Sequence, residues 1–125
     1  MTTYAYRPPL TQVAVEERIV DISDAMETVV EELAKFSDEA AEAEVDYKVG
    51  YASAILAAGM QPGAGRGGKM TEGDKDATAT VEVEHLLRSR LIAEARHEVS
   101  IEKLRTMRAR ISALQSLSAN LRHMT

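Results

Sequence analysis

The sequence contains no cysteine and no tryptophan, and aromatic residues make up only 4% of its 125 positions. Without cysteine the chain has no disulfide framework, no Cys-ligated zinc or iron-sulfur site and no thiol nucleophile. With few aromatics, the apolar volume must come from Ala, Leu, Val, Ile and Met, which suits thin seams between helices better than a deep globular core. We therefore expect an all-α protein.

The sequence also lacks the segments that direct a protein into a membrane or out of the cell. No apolar run approaches the roughly 18 residues of a membrane-spanning helix. The first ten residues, MTTYAYRPPL, have neither the basic flank nor the apolar stretch of a signal peptide. We expect a cytoplasmic protein without a membrane partner, and a length of 125 residues fits one domain.

Charge is distributed unevenly along a chain whose net charge is -5. Residues 16–46 contain twelve acidic and two basic side chains, whereas residues 88–125 contain eight basic and three acidic ones. In one interpretation, an acidic helix packs against a basic helix. In the other, the basic segment presents its seven arginines to the phosphates of a polyanion.

Residues 19–57 carry an apolar seam typical of a long helix that packs against another helix. Apolar or small residues recur at strict intervals of three and four. They are Ile19, Ile22, Met26, Val29, Leu33, Phe36, Ala40, Ala43, Tyr47, Gly50, Ala54 and Ala57. The pattern predicts a helix over about residues 12–58, capped by Thr11, with a break near Ser37 as the alternative. The small residues after Phe36 predict that another element approaches the second half closely.

A glycine-rich segment follows at residues 59–73, where the sequence reads GMQPGAGRGGKMTEG. It contains six of the chain's seven glycines and a proline, so we expect a loop. Residues 63–69 match the phosphate-binding pattern GxxxxGK, but Met70 stands where the pattern needs a hydroxyl, and a helix precedes the segment where the pattern needs a strand. We expect no nucleotide hydrolysis; Arg66 and Lys69 belong either to a plain connector or to a basic loop that touches nucleic acid.

A second helix is expected to begin near residue 74 or 79 and to run almost to the last residue. Thr71 and Asp74 resemble a capping box at its start. Glu94 and Glu98 interrupt its apolar stripe. The stripe consists of Leu87, Leu91, Ile101, Leu104, Met107, Ile111, Leu114, Leu117 and Leu121.

Together these elements predict an all-α protein built as a long antiparallel helical hairpin with coiled-coil character. Residues 1–11 form an irregular N-terminal arm, because Pro8 and Pro9 cannot lie inside a helix, and residues 12–124 form a single hairpin domain. Such a hairpin exposes more apolar seam than it covers alone, so we expect a homo-oligomer in which seams pack between protomers. The seam residues are Ile19, Ile22, Met26, Val29, Leu33, Phe36, Leu104, Ile111 and Leu114.

Candidates for catalytic or metal chemistry are few. Glu94 and His97 form an ExxH pair, with Glu39 and Glu42 available on the first helix, and dimerising hairpins build carboxylate-bridged metal sites in this way. Glu94 can equally pair with Arg90 or Arg88 on the surface of its own helix. The sequence offers no Ser-His-Asp arrangement, and we expect no catalytic residues, no cofactor and no enzymatic activity.

Basic and aromatic residues supply candidates for a nucleic-acid contact. Tyr47 and Tyr51 stand one helical turn apart, a spacing that fits either base stacking or a place in the core. The arginines match phosphate geometry better than lysines do. The candidate residues are Arg66, Lys69, Lys75, Arg88, Arg96, Arg105, Arg110, Tyr47 and Tyr51.

The order of several features along residues 40–124 matches a known family. A long helix reaches Val45-Asp46-Tyr47, a Gly65-Arg66-Gly67 segment follows, and a second helix ends in RISALQS at 110–116 and LRHM at 121–124. In this order the chain resembles the UvsY family of phage recombination mediators. The resemblance implies a small all-helical protein that assembles into rings and binds single-stranded DNA. It further implies that the protein loads a RecA-like recombinase onto strands covered by single-strand-binding protein, in the host-cell cytoplasm.

One position departs from the family. Glu42 and Glu44 stand where a family member carries basic residues that contact DNA, so the charge for DNA must come from the glycine-rich segment, Lys75 or the second helix. We expect a non-enzymatic accessory protein of phage DNA recombination or replication that oligomerises and contacts single-stranded DNA. Its partners are then a second copy, single-stranded DNA, and a recombinase or single-strand-binding protein. The alternatives are a virion or scaffold protein that binds no nucleic acid, and an oligomeric metal-binding hairpin.

Overall fold

A computed structural model of the chain describes residues 10–60 and 71–124. Three helices account for 95% of these residues, and none of them lies in a strand: α1 (Gln12–Met60), α2 (Glu72–Glu82) and α3 (Glu84–His123). The predicted all-α fold is confirmed. Within the two described ranges, no helix combines the length and the apolar character that crossing a bilayer demands. The arm predicted at residues 1–11 lies almost wholly outside the described residues.

Helix α1 is continuous, so the alternative of a break near Ser37 is wrong. Thr11 caps its start, as predicted, because the backbone N–H of Ala14 donates to the Thr11 hydroxyl at 3.1 Å. The helix continues through Gly59 to Met60, and α2 already includes Glu72 and Gly73. Two residues at each end of the predicted loop 59–73 are therefore helical, and residues 61–70 of that loop lie outside the described residues.

The second predicted helix is in fact two helices. Thr71 and Asp74 form the predicted capping box: the Asp74 N–H donates to the Thr71 hydroxyl at 3.1 Å, and the Thr71 N–H donates to the Asp74 carboxylate at 3.4 Å. Helix α2 ends at Glu82, and Val83 separates it from α3. The segment Thr78–Val83 is rich in β-branched residues, which lowers helix propensity, and Val83 is buried at the break.

The chain divides into two compact units. The described residues of the first unit are 10–32 and 101–124, and those of the second unit are 33–60 and 71–100. That residues 12–124 form a single domain stays a prediction.

The first unit is held by a narrow apolar core and by ion pairs between α1 and α3. Val15, Val29 and Leu104 are buried. Five predicted seam residues of this unit are half-buried, namely Ile19, Ile22, Met26, Ile111 and Leu114. Glu32 pairs with Lys103 at 3.9 Å, and Glu16 pairs with Arg122 at 3.7 Å. The predicted packing of acidic against basic helix therefore occurs in this unit.

The core of the second unit consists of Ala54, Ala79 and Val83, with Tyr47, Tyr51, Ile55 and Leu86 packed against it. Gly50 shows why small residues are needed in this half of α1. A Cβ atom built on Gly50 would lie 2.5 Å from the Cδ1 atom of Leu86, far inside van der Waals contact. The predicted close approach to the second half of α1 is therefore observed at this glycine. Leu33 and Phe36, also predicted seam residues, are half-buried.

The inner face of α3 in the second unit differs from the predicted apolar stripe. Leu91 is exposed, so its assignment to the stripe is wrong. The residues turned away from solvent recur instead at intervals of four and three and include polar side chains; they are Leu86, Arg90, Ala93, His97 and Ser100. The apolar stripe of α3 is therefore interrupted in the sequence because some of the residues on its inner face are polar.

Candidate nucleic-acid interface

The predicted contact residues differ in what they already bind. Arg66 and Lys69 lie outside the described residues. Lys75, Arg88 and Arg105 each form an ion pair with an acidic residue on their own helix. The partners are Glu72 at 3.4 Å, Glu84 at 2.8 Å and Glu102 at 2.5 Å, respectively. Exposed pairs of this kind contribute about 0.3–0.5 kcal/mol, which a phosphate must offset before it can bind there.

Arg96 and Arg110 are exposed, and neither makes an ion pair with another described residue. Arg108 and Arg18, which were not among the residues predicted to contact nucleic acid, are also exposed and make no ion pair with another described residue. These four guanidinium groups therefore keep their hydrogen-bond donors available within the part of the chain that the structure describes. An arginine fork of this kind matches a phosphate in a bidentate geometry.

Two of these arginines share a groove in the first unit. The groove has a volume of about 460 Å³ and is lined by Arg18, Ile22, Arg110, Ala113 and Leu114. Its apolar lining residues come from both α1 and α3, and each helix contributes one arginine. The arrangement offers positive charge beside an apolar surface, which fits the phosphates and the sugar or base of a nucleotide chain.

Arg18 was not predicted as a contact residue, because it lies in the acidic segment 16–46, whose net charge stays negative despite this arginine. A signal for it exists in the sequence. Arg18 directly precedes the seam residue Ile19, and Arg110 directly precedes the seam residue Ile111. Residues at the same heptad position border the seam on the same side of each helix. The shared position was therefore a reason to consider the two arginines together.

Tyr47 and Tyr51 form a stacked pair, with ring centroids 6.1 Å apart. The guanidinium carbon of Arg90 lies 5.0 Å from the centroid of the Tyr47 ring. The Tyr51 hydroxyl donates a hydrogen bond to the Asp76 carboxylate. This bond, with smaller contributions from burial and from the charge of Asp76, raises the pKa of Tyr51 above its usual value. Both rings already have partners in the second unit, which favours the packing interpretation over base stacking.

The ExxH pair does not assemble a metal site in the described part of the chain. The Glu94 carboxylate accepts a hydrogen bond from Nε of Arg90 at 3.1 Å, the pairing that the sequence left open. Glu39 lies 4.0 Å from the Lys35 ammonium. Over residues 10–60 and 71–124, no group of three or more His, Cys, Asp or Glu side chains is placed to hold a metal ion.

Comparison of the chain with protein-family models, with curated proteins and with solved structures finds no match. The resemblance to the UvsY family therefore rests on the order of helix, Gly-Arg-Gly segment and second helix in the sequence alone. Function has to be argued from the arginines, the grooves and the exposed surfaces of this chain.

Proposed function

We propose that the protein is a non-enzymatic accessory factor of phage DNA recombination or replication that self-associates and contacts single-stranded DNA in the cytoplasm. The observation that carries this proposal is the groove of the first unit, in which Arg18 and Arg110 stand beside Ile22, Ala113 and Leu114. In the family that the chain resembles, the further partners are a recombinase and single-strand-binding protein.

The proposal includes an antiparallel arrangement of α1 and α3. Glu32 of α1 pairs with Lys103 of α3. Glu16, which comes before Glu32 in α1, pairs with Arg122, which comes after Lys103 in α3. Residue numbers thus fall along α1 as they rise along α3, the order that an antiparallel hairpin requires. Self-association is supported by apolar side chains that are exposed in both units, such as Val20 and Val30 in the first and Val49 and Leu56 in the second.

Electrostatics favour a phosphate ligand for the groove. The Arg18 and Arg110 guanidinium groups, one from each helix, line the same groove, and neither has an ion-paired acid among the described residues. A single strand that binds there releases condensed counterions, an entropic gain that exposed protein carboxylates do not provide. Most of the acidic side chains remain on α1, so we expect weak binding that depends strongly on salt.

The test is the double variant Arg18→Gln and Arg110→Gln, titrated against a fluorescent single-stranded oligonucleotide. We expect affinity to fall about tenfold and the log-log salt slope to become shallower by about 1.4, since two phosphate contacts are lost. Thermal melting should be little changed, because neither arginine makes an ion pair within the described residues.

The matched control is the double variant Arg88→Gln and Arg105→Gln, which removes the same charge from arginines that are already paired with Glu84 and Glu102. Its affinity should fall less than that of the groove variant. An equal loss in both variants would mean that net charge alone governs binding and that the groove is not the site.

A second function, a structural or assembly protein without nucleic-acid binding, is favoured by one observation. The pairs Glu32–Lys103 and Glu16–Arg122 use the opposite charges of the two helices for packing inside the first unit. An assembly protein needs no more than this. It would form stable oligomers and show no affinity for single-stranded DNA even at low salt, where the electrostatic attraction is largest.

A further inference from the structure

The last twelve residues of α1 carry no charge at all. From Val49 to Met60 the sequence is VGYASAILAAGM, with no acidic or basic residue. Gly50, Ala54 and Ala58 lie on the inner side, where Ala54 and Ala58 are buried. The opposite side is open to solvent, yet it is apolar as well. A helix that is apolar all round is normally covered, because water-facing helix surfaces are polar in most soluble proteins.

The exposed residues on that opposite side form a regular row, which we call the outer stripe. It consists of Val45, Val49, Ala52 and Leu56, all exposed, at intervals of four, three and four. This is the spacing of a helix-packing seam. It lies on the face of α1 opposite the residues that pack inside the second unit. Helix α1 thus has a second packing surface that no described residue covers.

We propose that the outer stripe binds the outer stripe of a second copy of this chain, with the two α1 helices antiparallel about a twofold axis. The intervals of four, three and four are the same from either end. An antiparallel pair therefore sets Val45 opposite Leu56 and Val49 opposite Ala52, and the symmetry repeats each contact. A surface that is complementary to itself in this way is the requirement of a twofold interface.

The charges along α1 support this register. The acids Glu42 and Asp46 precede the uncharged segment, residues 49–60. An antiparallel pair places them beside the uncharged segment of the second copy, whereas a parallel pair would place acids beside acids. Like charges held close together oppose association. The distribution of charge therefore selects the antiparallel orientation.

Lys75 adds a complementary charge at the edge of the stripe. A Cβ atom built on Gly59 would lie 3.8 Å from the Lys75 ammonium, so this charge lies beside Gly59. In the proposed register, the residue opposite Gly59 is Glu42 of the second copy. The Lys75 ammonium, which also pairs with Glu72 at 3.4 Å, is thus placed near Glu42 of the second copy, once on either side of the axis.

This inference rests on the self-association included in the proposed function and names the surface that carries it. Sedimentation of Val49→Glu against the control Val20→Glu tests it. Both valines are exposed on α1, at 60% and 57%, but only Val49 lies in the outer stripe. We expect Val49→Glu to weaken association about tenfold or more, because two carboxylates enter an apolar contact, and Val20→Glu to associate like the natural chain.

The register is tested by cross-linking, which is simple in a chain without native cysteine. With 1.5 Å of rise per residue, the two copies of position 52 are offset by about 4–5 Å along the axis, and those of position 45 by about 16 Å. A short bifunctional thiol reagent should therefore cross-link Ala52→Cys and leave Val45→Cys largely monomeric. Equal cross-linking of both variants would indicate parallel helices and overturn the proposed register.

The outcomes separate this inference from the proposed function. If the natural chain associates and Val49→Glu associates equally well, the outer stripe is not the interface, while self-association itself stands. If the natural chain is a monomer at micromolar concentration, both fail. If Val49→Glu alone is monomeric and remains helical by circular dichroism, the outer stripe is the interface.

Discussion

Val29→Asp is expected to unfold the first unit, whereas Val30→Asp leaves it folded. Val29 is 5% exposed and Val30, the next residue, is 48% exposed. An aspartate at position 29 must either bury an unpaired carboxylate or take up a proton, and we expect the free energy of unfolding to fall by about 3 kcal/mol or more. At position 30 the carboxylate remains in water, and we expect a loss of about 1 kcal/mol or less.

Urea denaturation followed by circular dichroism measures both variants under the same conditions. The pair is closely matched, since the residue type, the helix and the introduced charge are the same. Equal stability of the two variants would show that α1 does not bury the face that contains Val15 and Val29. The inferred packing of the first unit would then be wrong.

Gly50→Leu is expected to destabilise the second unit, although replacing a helical glycine normally stabilises a helix. The new side chain would collide with Leu86, whose Cδ1 atom is 2.5 Å from the position of a Cβ on Gly50, while Val83, in ordinary contact at 3.6 Å, leaves little room beside it. Overpacking of this kind costs about 1–3 kcal/mol, or more for a large side chain. It outweighs the gain of about 1 kcal/mol in helix propensity, so we expect a lower melting temperature.

Gly59→Leu provides the matched control, because Gly59 is also helical but meets only the Lys75 side chain, at 3.7 Å or more. We expect its melting temperature to be unchanged or slightly raised. Shifts of the same sign in both variants, measured by thermal melting, would contradict the close approach of Leu86 to α1.

The seam of α1 could be predicted because its apolar residues are regular. Every predicted position from Ile19 to Ala54 is buried or half-buried. The prediction ends one residue out of place: Ala57 is exposed and Ala58 is buried. An undistorted α-helix has 3.6 residues per turn, so a strict seven-residue repeat drifts around it, and an extra interval of four corrects the drift.

The inner face of α3 could not be predicted from apolar residues, because polar side chains occupy part of it. Arg90 lies over the Tyr47 ring and donates a hydrogen bond to Glu94. An arginine at this position was expected to face solvent, whereas its charge has partners inside the second unit. The break at Val83 was missed for a related reason. Val83, between the two helices, is buried by packing against Ala54 and Ala79. No pattern in the neighbouring sequence predicts this packing.

The candidate site was predicted in part. Arg110 was selected as a basic residue, but its neighbour in the groove, Arg18, lies 92 positions earlier in a segment that is otherwise acidic. Only the packing of α1 against α3 in the first unit brings the two together. Conversely, Arg88 and Arg105 were predicted as contact residues because of their charge, but each already forms an ion pair with an acidic residue on α3.

Binding of the natural chain to a single-stranded oligonucleotide, measured by fluorescence anisotropy across a series of salt concentrations, tests the central claim most directly. Arg18, Arg108 and Arg110 are the arginines of the first unit without an ion pair among the described residues. Two of them, Arg18 and Arg110, line the groove, and two phosphate contacts predict measurable binding at low salt and a log-log slope of about -1.4. No binding at the lowest salt concentration would contradict the proposal that this protein contacts single-stranded DNA.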